Sequence, residues 1–185
     1  MALKSTVFKA EVQVADMDRH HYQTHGLTIA RHPSENDQRM MVRVLAFALY
    51  ADEALAFGRG LSTEDEPALW QKDLTGAIDL WIDVGQPDEK DIRRACGRAA
   101  QVVLITYGGP VAEVWWEKIR HKLERLDNLS VLNLSIDEGA ALAGLAERTM
   151  ILQATIQDGS VLLTGGGQAI ELHPARWKTA PAEVH

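Results

Sequence analysis

The chain has 185 residues, of which 46% are hydrophobic and 24% are charged, a composition typical of a soluble globular domain. Its net charge of −7 creates no overall field that attracts nucleic acid, so such binding would need a local basic patch. The single cysteine, Cys96, excludes an intramolecular disulfide and a cysteine-only metal cage. No apolar run is long enough for a membrane span and no signal segment follows Met1, so we expect a cytoplasmic location without membrane contact.

The N-terminal region predicts an antiparallel hairpin. Residues 3–14 and 21–31 have the character of two strands, joined by a short polar turn. His21 and His25 fall on the second strand, about 13 Å apart at the usual rise per residue. That separation is too large for one metal ion, so we predict that these histidines, like His20, are surface residues.

A core helix is predicted to open at Pro33 and Ser34, with Ser34 as its cap. Apolar side chains recur at helical spacing from Met40 to Leu49. Another face of this helix carries Glu35, Arg39 and Arg43. Two interpretations of these charges remain open, surface ion pairing and a functional role.

Three short strands are predicted next, at residues 55–60, 68–72 and 78–85, with an acidic connection over residues 62–67. The third strand alternates, so that its apolar residues share one face and Asp79, Trp81 and Asp83 share the other. This pattern is typical of a metal-binding strand, but also of an ordinary strand with one solvated face.

Strand spacing decides which carboxylates of this region could act together. A turn centred on Leu74 and Thr75 would place Asp83 beside Glu66 on the neighbouring strand, about 4.8 Å away. Glu66 (or Asp65) and Asp83 could therefore reach one cation. Asp79 and Asp83 could not, because they lie about 13 Å apart along their own strand.

The remaining chain continues the alternation of helices and strands. We predict a helix from Pro87, a strand at 101–107 buried on both faces, a helix from Pro110, a strand at 129–134 and a helix at 137–147. A hairpin around Asp158–Gly159 and a short strand at 169–172 follow. The fold class is therefore α/β (α+β), with a mixed sheet and antiparallel hairpins at both ends. We expect one domain over residues 1–177 and a flexible tail over residues 178–185.

Several enzyme classes lack their motifs in this sequence. It has no Gly-x-Ser-x-Gly nucleophile elbow, no His-Glu-x-x-His zinc motif and no Gly-x-Gly-x-x-Gly dinucleotide fingerprint. The triple glycine at 165–167 is followed by no helix and no Gly-Lys-Ser/Thr, so it is not a phosphate loop.

Long sequence blocks carry a resemblance to a known family. They are Ala30-Arg31-His32-Pro33-Ser34-Glu35, Asp65-Glu66-Pro67, Ile78-Asp79-Leu80-Trp81-Ile82-Asp83-Val84-Gly85, and the segment from Arg148 to Gly159. With the order helix, three strands, helix, strand over residues 34–107, the chain resembles the core of the PD-(D/E)XK nuclease superfamily. More specifically, it is similar to the YaeQ family along nearly all of its length.

This resemblance implies an α-β-β-β-α-β core of the restriction-endonuclease type and a metal site within it. Glu35 would be an accessory acid from the first helix. Glu66, or else Asp65, and Asp83 would bind Mg²⁺ or Mn²⁺, which in such nucleases polarises the phosphate and activates water. Gly85 occupies the position of the motif lysine, and Gln86, Lys72 or Lys90 are the candidates to replace its polar head.

Two functions follow from the resemblance. One is a Mg²⁺-dependent phosphodiesterase acting on DNA or RNA, with Glu35, Glu66, Asp83 and Gln86 as its catalytic residues. The alternative is a catalytically inactive nuclease-fold protein that acts as a nucleic-acid or protein binding or regulatory module. In either case Arg31, Arg39 and Arg43 would contact phosphate, or else would only neutralise carboxylates.

Overall fold

The computed structural model describes residues 4–59 and 65–181. The strands in these ranges are β1 (Thr6–Asp16), β2 (His21–Arg31), β3 (Leu55–Phe57), β4 (Leu69–Lys72), β5 (Ile78–Val84), β6 (Ala99–Thr106), β7 (Leu129–Asn133), β8 (Thr149–Gln157), β9 (Ser160–Gly165), β10 (Gln168–Leu172) and β11 (Ala175–Lys178). The helices are α1 (Asp37–Leu49), α2 (Glu89–Arg98), α3 (Pro110–Leu123) and α4 (Ile136–Ala143). The α/β fold class is confirmed.

The strands form two mixed sheets. The first sheet has the order β10-β9-β8-β1-β2, and the second has the order β11-β7-β6-β5-β4-β3. Both predicted terminal hairpins are present, because β1 pairs with β2 and β8 with β9 in antiparallel fashion. Parallel pairing of β1 with β8 then joins the two hairpins into one sheet.

Helix α1 lies in the main hydrophobic core with residues of both sheets. Every residue from Met40 to Ala48 is buried, and the same core includes Val12 of the first sheet and Ile82 of the second. The other face of the second sheet packs on α2 and α3 through a separate core. Strand β6 is buried on both faces and parallel to β5 and β7, as its continuous apolar run predicts.

The predicted start of α1 was wrong. The Asn36 side chain caps the helix by accepting the Arg39 backbone N–H at 2.9 Å. The Ser34 hydroxyl is hydrogen-bonded to His32 Nδ1 at 2.7 Å and so does not act as the cap. Glu35 therefore lies in the loop before the helix rather than on it.

A β-bulge changes the predicted register of β4 and β5. Lys72 pairs with Ile78, whereas Gln71 pairs with Leu80, which leaves Asp79 as the extra residue. Asp83 consequently lies opposite Ala68, whose backbone N–H donates to Asp83 Oδ1 at 3.1 Å. The predicted position of Asp83 beside Glu66 was wrong by this shift.

The sequence reading missed β11. This strand pairs with β7, and its Trp177 ring stacks on Trp116 with 5.5 Å between ring centroids. The chain remains packed beyond it, since Ala180 is 1% exposed. Residues 182–185 of the predicted tail lie outside the described residues. So do residues 60–64, which include the end of the strand predicted at 55–60 and the start of the acidic connection.

The prediction of three surface histidines was wrong for His25. His25 is 8% exposed, lies edge-on to Phe47 and stacks on His21, with 2.9 Å between the two Nε2 atoms. The predicted separation of His21 and His25 was a distance along the backbone. It took no account of the length of the two side chains, which lie on the same face of β2 and can meet. Burial, followed by the nearby His21, lowers the pKa of His25 below its ordinary value.

Candidate functional site

A cleft of about 400 Å³ opens beside the ends of β5 and β6. These strands are parallel, so their carboxyl ends meet at one edge of the sheet, and α2 begins immediately beyond that edge. We call this the central cleft. Its polar lining includes Arg39, Glu66, Asp83, Gln86, Asp91, Arg94 and Tyr107.

Asp83 is held at the wall of the cleft by donors of the protein itself. The Trp81 indole N–H donates to Asp83 Oδ2 at 2.8 Å, and the Ala68 N–H donates to Oδ1. Burial raises the pKa of Asp83 above its ordinary value, while these two donors and the nearby Arg39 act in the opposite direction. Asp83 is thus a half-buried carboxyl group, each oxygen of which accepts one hydrogen bond from the protein.

The other acidic candidate of the β4 region is also engaged. Glu66 Oε2 accepts the Arg59 backbone N–H at 2.9 Å, and Glu66 Oε1 lies 3.5 Å from Arg59 Nε. Asp65 is exposed and is not part of the lining of the central cleft. Its backbone carbonyl accepts from Arg98 at 3.0 Å.

Glu35 is buried behind the cleft and not within it. Its two carboxylate oxygens form ion pairs with Arg39 and Arg43, and its side chain is 1% exposed. Arg43 also donates to the Ala30 carbonyl oxygen of β2 at 3.1 Å. Only Arg39, with a 19% exposed side chain, extends from this cluster to the cleft wall.

The remaining predicted residues divide between the cleft and its surroundings. Gln86 lines the cleft, and its Nε2 donates to the Tyr107 carbonyl oxygen at 2.5 Å. Arg31 forms an ion pair with Asp37 and lies over the Phe8 ring. The structure therefore brings Arg39, Glu66, Asp83 and Gln86 together and leaves Glu35, Asp65, Arg31 and Arg43 outside the lining.

Gly85 shows why no lysine follows Asp83 and Val84. Strand β5 ends at Val84, and Gly85 has a φ of +97°. This backbone conformation is costly for any residue with a Cβ atom. A lysine at this position would not continue a strand beside the carboxylates.

The central cleft brings two of the predicted carboxylate ligands, Glu66 and Asp83, to one place. Both accept hydrogen bonds from backbone or side-chain donors, which position their oxygens but leave each with a further lone pair. Over residues 4–59 and 65–181, no three His, Cys, Asp or Glu side chains form a group that could hold a metal.

Sequence reasoning missed three polar residues of the cleft, Asp91, Arg94 and Tyr107. Asp91 and Arg94 form an exposed ion pair at 3.5 Å in the first turns of α2. Tyr107 follows the end of β6, and burial raises the pKa of its hydroxyl group. The sequence position of these residues was a usable signal, because they follow the predicted strands of the sheet. Ligand sites in α/β sheets commonly lie beyond the carboxyl ends of parallel strands.

Comparisons with known proteins all identify the same family. The family model described as YaeQ protein matches residues 1–174. Proteins named "Uncharacterized protein YaeQ" from Salmonella typhi and Escherichia coli (strain K12) are each 47% identical, over 96% of this chain and 98% of theirs.

Solved structures also match over nearly the whole chain. The YaeQ protein of Xanthomonas axonopodis pv. citri superposes with a TM-score of 0.92 at 48% identity, covering 95% of this chain and 99% of that one. The YaeQ protein of Pseudomonas syringae gives 0.90 at 37% identity, covering 95% and 97%.

The buried cluster behind the cleft predicts a large stability effect. Glu35→Gln leaves two guanidinium groups without their shared carboxylate, so we expect a loss of about 3–5 kcal/mol in the free energy of unfolding. Urea denaturation would measure it. Glu117→Gln, which removes an exposed partner of Arg120 on α3, should leave the midpoint nearly unchanged. Equal midpoints for the two variants would contradict the role assigned to Glu35.

The backbone at Gly85 predicts a second effect. No atom lies within 4 Å of a Cβ placed there, so Gly85→Ala tests the backbone alone. We expect a loss of about 1–2 kcal/mol from the left-handed conformation. Gly97→Ala in α2 has equally open space without a positive φ and should gain about 0.5 kcal/mol. Thermal unfolding would compare them, and a stabilising Gly85→Ala would refute the account.

Proposed function

Since the chain belongs to the YaeQ family, we propose from the geometry of its central cleft that it binds nucleic acid there without cleaving it. The ligand would be a single strand whose phosphate is received by Arg39 and Arg94. This corresponds to the second function expected from the sequence, a binding module without catalytic activity. A cleft of about 400 Å³ is large enough for one nucleotide unit.

The observation that carries the proposal is the arginine pair that shares one carboxylate behind the cleft. Glu35 is the common partner of Arg39 and Arg43, and Asp83 is the other acid that interacts with Arg39. Arg39 is the member of the cluster that reaches the cleft wall. A phosphate oxygen at this position would complete the ion pairing, and arginine suits phosphate through its planar set of donors.

Asp83 adds a pH dependence to this site. As a carboxylate it offsets the positive charge of Arg39, and burial raises its pKa, which favours the neutral form. Protonation of Asp83 therefore makes the cleft more positive. Binding of a phosphate ligand is expected to strengthen as the pH falls through the raised pKa of Asp83.

The relation to PD-(D/E)XK nucleases belongs to the same proposal. The element order α1-β3-β4-β5-α2-β6 supports it. A second candidate function, a Mg²⁺-dependent phosphodiesterase, has one observation in its favour, because Glu66 and Asp83 line the same cleft. We favour binding alone, since no group of three ligating side chains occurs in the described ranges and Gly85 stands at the position of the motif lysine.

A salt titration tests the binding proposal. We expect Arg94→Gln to weaken the binding of labelled single-stranded DNA and RNA, and to lower the slope of log K against log salt by about 0.7 for one lost phosphate contact. Arg120→Gln is the matched control, because Arg120 also pairs with an acid three residues earlier at 3.5 Å. Equal effects of the two substitutions, or no binding by the wild-type chain, would contradict the proposal.

The same samples separate the two candidate functions. Incubation with Mg²⁺ or Mn²⁺ should leave the oligonucleotides intact. Strand cleavage that disappears in Asp83→Asn would replace the binding proposal with the phosphodiesterase.

A further inference from the structure

A second cavity lies away from the central cleft, between the two sheets. Its volume is about 580 Å³. Asp16 at the end of β1 and Ile156 of β8 contribute from the first sheet, while Asp79 and Leu80 of β5 contribute from the second. We call it the acidic cavity.

The charge of the acidic cavity is strongly unbalanced. Five aspartates line it, against the two arginines Arg19 and Arg176. The aspartates are Asp16, Asp18, Asp52, Asp79 and Asp158. A cavity with this balance favours a cationic ligand.

Most of these aspartates accept hydrogen bonds within the protein, but one buried carboxylate oxygen does not. Asp16 is 1% exposed, and its Oδ1 accepts the backbone N–H groups of Asp18 and Arg19 at 3.0 Å each. Its Oδ2 is buried and has no hydrogen-bond partner among the described residues. An unmatched buried carboxylate oxygen is costly and indicates a missing donor.

Arg19 forms an ion pair with this oxygen but no hydrogen bond. The distance from Arg19 Nη1 to Asp16 Oδ2 is 3.6 Å. The guanidinium group instead donates to the carbonyl oxygens of Leu49 and Ala51. The Arg19 side chain is 35% exposed and lines the cavity, so a ligand donor that bonds to Asp16 Oδ2 would replace it there.

The bulge in β5 provides a second acid for the same cavity. Asp79 is the unpaired extra residue, it is exposed, and it lines the acidic cavity together with its neighbour Leu80. Leu132 and Ile156 add further apolar surface to the lining. Carboxylates combined with an apolar wall match a chain of methylene groups that carries ammonium groups.

We propose that the acidic cavity binds an aliphatic diamine or polyamine, with one ammonium group donating to Asp16 Oδ2 and another near Asp79. A metal ion fits less well, because no group of three ligating side chains occurs in the described ranges. An alkylammonium needs fewer carboxylates around each charge and uses the apolar wall that a metal ion would leave unused. This site is independent of the function proposed for the central cleft.

Calorimetric titration of the full chain with cadaverine at physiological salt tests the proposal. We expect Asp16→Asn to weaken binding about tenfold or more, since it removes a buried charge-assisted hydrogen bond. Asn retains an oxygen that can accept the two backbone N–H groups, so the turn is preserved. Asp79→Asn, an exposed change that leaves the core intact, should weaken binding about threefold and decides the outcome if Asp16→Asn does not fold.

Two controls make the result specific. Asp137→Asn changes the net charge equally at an exposed position on α4 outside the cavity and should leave the affinity unchanged. Pentanediol, an uncharged analogue of the diamine, should not bind. An absence of cadaverine binding, equal weakening by Asp137→Asn and Asp79→Asn, or tighter binding of Mg²⁺ at the same aspartates would overturn the proposal.

Discussion

The buried ion pairs of Glu35 with Arg39 and Arg43 connect most parts of this molecule. Arg43 lies in the buried part of helix α1 and donates to the backbone of β2, while Arg39 extends from the same helix to the central cleft. A buried charge needs its partner because the interior solvates it poorly. The position of α1 between the sheets and the charge at the cleft wall therefore depend on one carboxylate.

Strand β5 divides its polar residues between two sites. The bulge at Asp79 breaks the alternation that would otherwise place Asp79 and Asp83 on one face. Asp83 consequently lines the central cleft with arginines nearby, whereas Asp79 lines the acidic cavity. The central cleft offers Arg39 and Arg94 beside its carboxylates, to which an anion can bind, whereas the acidic cavity has five aspartates against two arginines and suits a cation. One extra residue in a strand is enough to separate them.

The sequence predicts regular elements better than the contacts between them. The two hairpins, the buried strand β6 and most helices follow from apolar periodicity and turn residues, which are local signals. The register of β4 and β5 does not, because the turn and the bulge together place Asp83 opposite Ala68 and not beside Glu66. The meeting of His21 and His25 and the pairing of β11 with β7 depend on side-chain reach and on distant residues. For the cleft, the residue types were predicted, but the hydrogen-bond donors that position the carboxylates were not.

The central claim is that Asp83 serves the cleft through its hydrogen bonds with Trp81 and Ala68, and not as a ligand of a catalytic divalent ion. Manganese binding followed by electron paramagnetic resonance tests this claim directly, with the wild-type chain compared with Asp83→Asn. The account predicts that the two proteins leave the same concentration of free Mn²⁺ across the titration. Stoichiometric binding by the wild-type chain that is lost in Asp83→Asn would contradict it.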